Sequence, residues 1–259
     1  MMTDKMDNDM TEYKVDFFLS AAECNAQQEI SLPLLAQRLI DISTAHASAI
    51  GVGYEHLLKD NNAWVLSRLS IELTRFPSIN KPYSLVTWVE DLNRHYSERI
   101  VELRDDLGEA IGYGRLTWVA INIVSRRPAD LTPLLHKVTP SNRRCPIERH
   151  PRLGSIGIPD HVTMYKFQYS DIDFNRHVNS TRYIQFILDR WGVSHYDLNR
   201  VSRFDISYHA EAHFEDVVEV RCKGDEETQD VEIARDGVVC TRARIKFCPR
   251  SLPIIPVKN

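Results

Sequence analysis

The sequence predicts an α+β protein in which one unit, an antiparallel sheet curved around a central helix, is given twice. An apolar helix, a short loop and then an alternating strand occur once in each half of the chain. The pairs Ser67-Arg68 and Ser202-Arg203 fall at equivalent points of those halves, at an offset of 135 residues. At 259 residues the chain is long enough for two cores, each within the size at which a domain folds independently.

The first helix is expected from about Leu32 to Ile50, with Ser31 placed to cap it, Pro33 tolerated in its first turn, and Leu35, Leu39 and Ile42 on one stripe. Gly51 to Leu57 form the loop that follows. Strands are then expected over Trp64–Thr74, Ser84–Asp91, Arg99–Arg104 and Ile111–Val124. The second helix should run from Ser180 to Trp191, capped by Asn179 and ended by a left-handed Gly192. Its strands follow over Val201–Tyr208, Asp216–Lys223, Val231–Ala234 and Val238–Cys248, with Asp236-Gly237 as a tight hairpin turn. Along the last strand Thr241, Ala243, Ile245 and Phe247 alternate with Arg242, Arg244 and Lys246, the pattern of a sheet with one wet face.

Residues 1–124 and 161–259 therefore form the two units, joined by a Pro-rich basic linker over 125–160. Between Ser125 and Arg152 seven basic residues face two acids, an excess that either keeps an exposed linker solvated or meets an acidic partner. The overall charge of -4 argues against nucleic acid as that partner, because displacing counterions from phosphates needs a cationic surface. The acidic N-terminus lacks the basic, apolar layout of a signal peptide, so a frayed start and a cytoplasmic location are expected, with no membrane span. Five cysteines without a CxxC pair indicate reduced, structural thiols rather than a disulfide framework or a zinc knuckle.

The densest polar cluster is Tyr169-Ser-Asp171-Ile-Asp173-Phe-Asn175-Arg-His177-Val-Asn179, at the junction of a strand and the second helix. A helix start offers unpaired N–H groups to a developing oxyanion. A carboxylate there can position or deprotonate water, an amide can hold a carbonyl, and His177 can move protons near neutral pH. The competing reading is that Asp173 and Asn179 only shape a turn and cap the helix. His209, Glu211 and His213 share one strand face at a spacing open to a metal, but with no fourth ligand in sight no metal is expected.

The run Ser170-Asp-Ile-Asp-Phe-Asn-Arg-His-Val-Asn-Ser-Thr-Arg-Tyr-Ile184 resembles the active-site signature D-x-N-x-H-V-N-N of the acyl-acyl carrier protein thioesterases of plants and bacteria. That resemblance, over nearly the whole chain, implies a tandem hot-dog fold. It implies hydrolysis of fatty-acyl thioesters on acyl carrier protein, ending chain growth in fatty acid biosynthesis, without a cofactor. Asp173, Asn175, His177 and Glu211 take the places of its catalytic residues. Plant members follow the Glu with a cysteine; Ala212 stands here, so a thiol nucleophile is unavailable and water activation by Glu211 or Asp173 remains.

Strand alternation turns Glu211 away from the helix unless a bulge or strand end near Ala210 intervenes. The first half has no D-x-N-x-H, and Phe76 stands opposite Glu211 by the same offset. The resemblance then gives that half the acyl-chain pocket, for which Val52, Leu57, Trp64, Leu66, Leu69, Ile71 and Trp88 supply apolar side chains. The linker, or the face of Arg242, Arg244 and Lys246, would dock the acidic carrier, and a homodimer is compatible with the plan. An acyl-CoA thioesterase and a non-catalytic acyl-binding hot-dog protein are the alternatives.

Overall fold

Two apolar helices, α1 (Leu32–Ala49) and α3 (Ser180–Leu188), lie against each other inside one curved antiparallel sheet in the computed structural model, which describes residues 10–251. Most of the acidic start expected to fray lies outside the described residues. The sheet comprises β1 (Glu12–Phe18), β2 (Asn62–Leu73), β3 (Pro82–Leu92), β4 (Ser97–Arg104) and β5 (Ala110–Asn122) in the first half. In the second half come β6 (His161–Lys166), β7 (Asn199–Tyr208), β8 (Val217–Gly224), β9 (Thr228–Arg235) and β10 (Val238–Pro249). The spatial order β1-β3-β4-β5-β2-β7-β10-β9-β8-β6 mirrors itself about the β2–β7 seam.

At the seam Arg68 faces Ser207, Leu69 faces Ile206 and Ile71 faces Phe204. Polar side chains cross it as well. Ser70 Oγ donates to Asp205 at 2.6 Å, and Arg203 pairs with Glu72 at 2.8 Å. The two halves thus share a core: Leu35, Leu39 and Ile42 of α1 belong to the same buried cluster as Tyr183, Ile184 and Ile187 of α3. Each such aliphatic side chain contributes about 1.5–3 kcal/mol on burial. Gly114 on β5 lets α1 sit close, because a Cβ there would lie 2.6 Å from Leu39 Cδ1.

The edge strands β1 and β6 have no counterpart among the expected strands, and the expected elements form with three further differences. The loops after the long helices each hold a further short helix, α2 (Tyr54–Leu58) and α4 (Val193–Leu198). The second helix stops at Leu188, and Gly192, at φ -74°, is the extended N-cap of α4 rather than a left-handed terminator. Ser31 occupies the N-cap of α1, but its side chain makes no capping bond. Asp236 and Gly237 do take the positive φ values, 49° and 78°, that a two-residue hairpin needs.

The linker is folded onto the sheet rather than exposed. Leu131, Leu134, Val138, Ile147 and Ile156 are buried. It covers an outer face of unusual polarity, where the side chains of Arg115, Glu90 and Glu98 are each 5–7% exposed and joined by ion pairs. Arg143 stacks on Trp88 at 3.9 Å and pairs with Glu12 and Glu102, and the Cys145 N–H donates to Glu90 at 2.6 Å. Trp88 therefore faces the linker and not an acyl pocket. Among the described residues no helix is long and apolar enough to cross a membrane.

Candidate active site

The cluster 171–179 forms a tight loop closed by a bridge between Ile172 and Val178. The Asp173 N–H donates to the His177 carbonyl at 2.8 Å and the Arg176 N–H to the Asp173 carbonyl at 3.0 Å, with Arg176 left-handed at φ 64°. Asp173 Oδ1 accepts the N–H groups of Asn175 (2.8 Å) and His177 (3.3 Å). Its side chain holds the loop from inside.

The loop is anchored on both flanks. Buried Asp171 accepts from Tyr165 Oη at 2.9 Å and the Gln168 N–H at 2.8 Å, and pairs with Arg182 of α3 at 2.8 Å. Asn179 caps α3, its Oδ1 accepting the Thr181 N–H at 2.9 Å, while the Arg182 N–H goes to the Asn179 carbonyl. The helix start is therefore largely satisfied from within. The expected reserve of unpaired N–H groups for an oxyanion is reduced to the Ser180 N–H, which has no partner among the described residues; Ser180 lines the cleft together with Asn175.

The first half contains the same loop with different side chains. Cys24 bridges Ile30, the Asn25 N–H donates to the Glu29 carbonyl, and the Gln28 N–H donates to the Asn25 carbonyl. Asn25 Oδ1 accepts the N–H groups of Gln27 and Glu29 at 3.0 and 3.1 Å, and Gln28 is left-handed at φ 59°. Asn25, Gln27 and Glu29 thus stand where Asp173, Asn175 and His177 stand. Gln27 is engaged by Asp197 and Glu29 by Arg250, so the first loop is committed to structure.

Glu211 reaches the second loop because β7 ends at Tyr208 and the N–H groups of His209 and Ala210 both donate to the Cys240 carbonyl. That doubled bond is the irregularity which the alternation required. The Val178 N–H then donates to the Ala212 carbonyl at 2.8 Å, as the Ile30 N–H does to Pro77, so Phe76 is the counterpart of Glu211. Glu211 Oε1 lies 3.5 Å from His177 Nδ1, and Oε2 pairs with Arg126 of the linker. The His177 and His213 rings meet edge to face at 5.1 Å, and Asp216 holds the His213 N–H at 2.7 Å.

The histidine and carboxylate atoms that converge, within 4.8 Å of one another, belong to His177, Glu211 and His213 rather than to a His209–Glu211–His213 face. His209 turns instead to Ser207, at 3.1 Å. The three converging groups suit proton transfer and could equally ligate a divalent ion. Arg126 was visible in the sequence only as one basic residue among many, since nothing local marks a partner 85 positions away.

This cluster opens into a cleft of about 1090 Å³ that runs into the first half, along α1 and β2. Of the apolar residues expected in an acyl pocket, Val52, Trp64 and Leu66 line this cleft, whereas Leu69 and Ile71 pack in the shared core and Leu57 in a smaller one. Its volume slightly exceeds the roughly 300–1,000 Å³ usual for small-molecule sites.

The models of the acyl-ACP thioesterase N-terminal and C-terminal domains match residues 10–138 and 159–249. The chain belongs to the acyl-ACP thioesterase family. An acyl-ACP thioesterase from Bacteroides thetaiotaomicron is similar at a TM-score of 0.86 and 33% identity, covering 94% of this chain and 100% of that one. The 12:0-ACP thioesterase from Umbellularia californica shares the fold at a TM-score of 0.79 and 18% identity, over 93% of this chain and 95% of that one. The oleoyl-acyl carrier protein thioesterase 1 of Arabidopsis thaliana is 25% identical over 82% of this chain, which spans 63% of the length of that relative. The fold is the α+β tandem hot-dog of this family.

Proposed function

We propose that the chain hydrolyses fatty-acyl thioesters carried on acyl carrier protein, releasing the free acid and ending chain growth in fatty acid biosynthesis. The observation that carries this is the continuity of the His177–Glu211 cluster with an apolar cleft in the other half. The second unit supplies the chemistry and the first the acyl pocket, with 125–160 as the strap between them. Family membership and the matched bacterial structure support acyl carrier protein as the thiol.

In this mechanism water attacks the acyl carbonyl while its proton passes to the Glu211–His177 pair. Arg126 holds the Glu211 carboxylate in place. Asn175 donates to the carbonyl oxygen as charge develops on it. The C–S bond then breaks and His177 returns the proton to the leaving thiolate. Asp173 orients Asn175 and His177 through their backbone N–H groups.

The carrier's docking surface is narrower than the charge count suggests. Arg242 and Arg244 are paired with Glu232 and Asp230, and Arg143, Arg126 and Arg149 also face carboxylates. Among the described residues Arg127, Lys137, Arg144 and Arg152 of the linker and Lys246 of β10 are exposed and pair with no carboxylate, and they are the better candidates. Cytoplasmic location and a homodimer belong to the same reading; the edge strand β6 exposes Val162 and Met164, which a second copy would cover.

Thiol release from acyl esters of graded length, on carrier protein and on coenzyme A, tests the reaction. Faster turnover of the carrier esters, abolished by Glu211→Ala with the fold intact, is expected. Preference for coenzyme A esters would reassign the thiol, and tight acyl binding without turnover would make the protein a binding module.

A further inference from the structure

Arg99, on β4, points into the interior of the first half, on the same face as Val101 and Leu103. It is 4% exposed, as are Arg115 at 4% and Arg203 at 7%, but its surroundings differ from theirs. Arg115 lies between Glu90 and Glu98, and Arg203 between Asp205 and Glu72. The Arg99 guanidinium has one side-chain partner among the described residues, the neutral ring of His46, whose Nδ1 accepts from Nη1 at 2.6 Å. His46 Nε2 in turn donates to the Met10 carbonyl at 2.9 Å, which fixes the tautomer that can accept from Arg99.

Burial pulls the Arg99 pKa down to about 10, so the side chain remains a cation at neutral pH. A buried cation without a counter-charge is costly to maintain. Arg99 nevertheless lines the cleft, as do Val89, its register partner on β3, and Leu134 and Val138 of the linker. Its position follows from the register: Arg99 faces Leu116, Leu116 faces Leu69, and Leu69 faces Ile206 on the strand that leads to Glu211. Three strand spacings put it about 14 Å across the sheet from β7. An extended chain advances about 1.2 Å per bond, so roughly a dozen bonds cover that distance.

We propose that Arg99 forms a subsite for an oxygen acceptor, a hydroxyl, keto or carboxylate group, near the far end of the acyl chain. The subsite rests on the reading of the cleft as an acyl pocket. An unsubstituted chain would bring only methyl and methylene groups against the guanidinium, whereas an oxygenated one gives it the acceptor that the protein does not supply. A carboxylate would also neutralise it.

The test compares dodecanoyl, ω-hydroxydodecanoyl and half-esterified dodecanedioyl groups on acyl carrier protein, together with binding of the three free acids followed by fluorescence of Trp64 and Trp118, which line the cleft. One or both oxygenated chains should exceed dodecanoyl by about tenfold or more in kcat/KM and in acid affinity, as expected of a hydrogen bond to a charged group. Arg99→Met should abolish that ratio and speed the plain chain, while Arg99→Lys should retain part of the preference. Equal or better use of dodecanoyl by the wild type, or a ratio unmoved by Arg99→Met, overturns the subsite. If no ester is cleaved but the oxygenated acids still bind more tightly through Arg99, the subsite stands and the hydrolase reading falls. If esters are cleaved without preference, the converse holds.

Discussion

Replacing Asp173 separates two uses of a carboxylate at the site. Its Oδ1 accepts two backbone N–H groups, and Asn25 makes the same pair of bonds in the first half with an amide oxygen. Asp173→Asn should therefore preserve the loop, and kcat for a fatty-acyl carrier ester should stay within about tenfold of wild type. Asp173→Ala removes both bonds, each contributing about 0.5–1.5 kcal/mol. If that energy is what holds Asn175 and His177 in position, kcat drops by roughly five- to a hundredfold. Glu211→Gln removes the charge beside His177 and should lower kcat by about a hundred- to ten-thousandfold, the range of a lost general base. Steady-state thiol release, with circular dichroism to verify folding, measures all three. A folded Asp173→Asn variant as inactive as Glu211→Gln would show instead that the negative charge of Asp173 is needed and not only its oxygen.

Arg115→Met should destabilise the protein by about 3–5 kcal/mol, because it strands Glu90 and Glu98 under the linker. Thermal melting should fall accordingly and largely recover when both glutamates become glutamine; no recovery would disprove the coupling. His46 is held down at about 4, by burial first and by the Arg99 cation second. The unfolded chain, with its histidine near 6.5, binds the proton more readily, so stability is lost as pH falls from 6.5 through 4, by at most about 3 kcal/mol. Urea melts across that range should show a slope that flattens in His46→Gln. Chelator should leave the rate unchanged, while excess Zn²⁺ should inhibit by occupying His177, Glu211 and His213; activation by Zn²⁺ would contradict proton transfer by these groups.

Much of this was legible in the residues because it rests on local pattern. The apolar stripe of α1, the cap at Asn179, the Asp236-Gly237 turn and the D-x-N-x-H loop each lie within a few consecutive positions. What escaped was set by distant pairing. Glu211 reaches His177 only through an irregular strand end against Cys240, and Arg126 reaches Glu211 from the linker. Arg143 looks like a free linker charge until the sheet beneath it is seen to carry Glu102, and Arg144 until its guanidinium is seen to donate to the Glu90 backbone carbonyl. The first half's loop looked unrelated because Asn25-x-Gln27-x-Glu29 keeps the shape of the second loop and none of its chemistry.

The seam between β2 and β7 also governs how the chain must be made. When β5 is complete at Asn122, the neighbouring β2 has a finished partner on one side and a bare ladder of N–H and C=O groups on the other. Its proper neighbour ends at Tyr208, so at about 5–20 residues per second the open edge persists for roughly 4–17 s of synthesis. During that interval a nascent chain can recruit the β2 edge of another, the ordinary route to strand-swapped aggregates. Low yield in rapid expression, relieved by slower synthesis or by a chaperone that shields nascent strands, would be the cost of joining two units through the middle of one sheet.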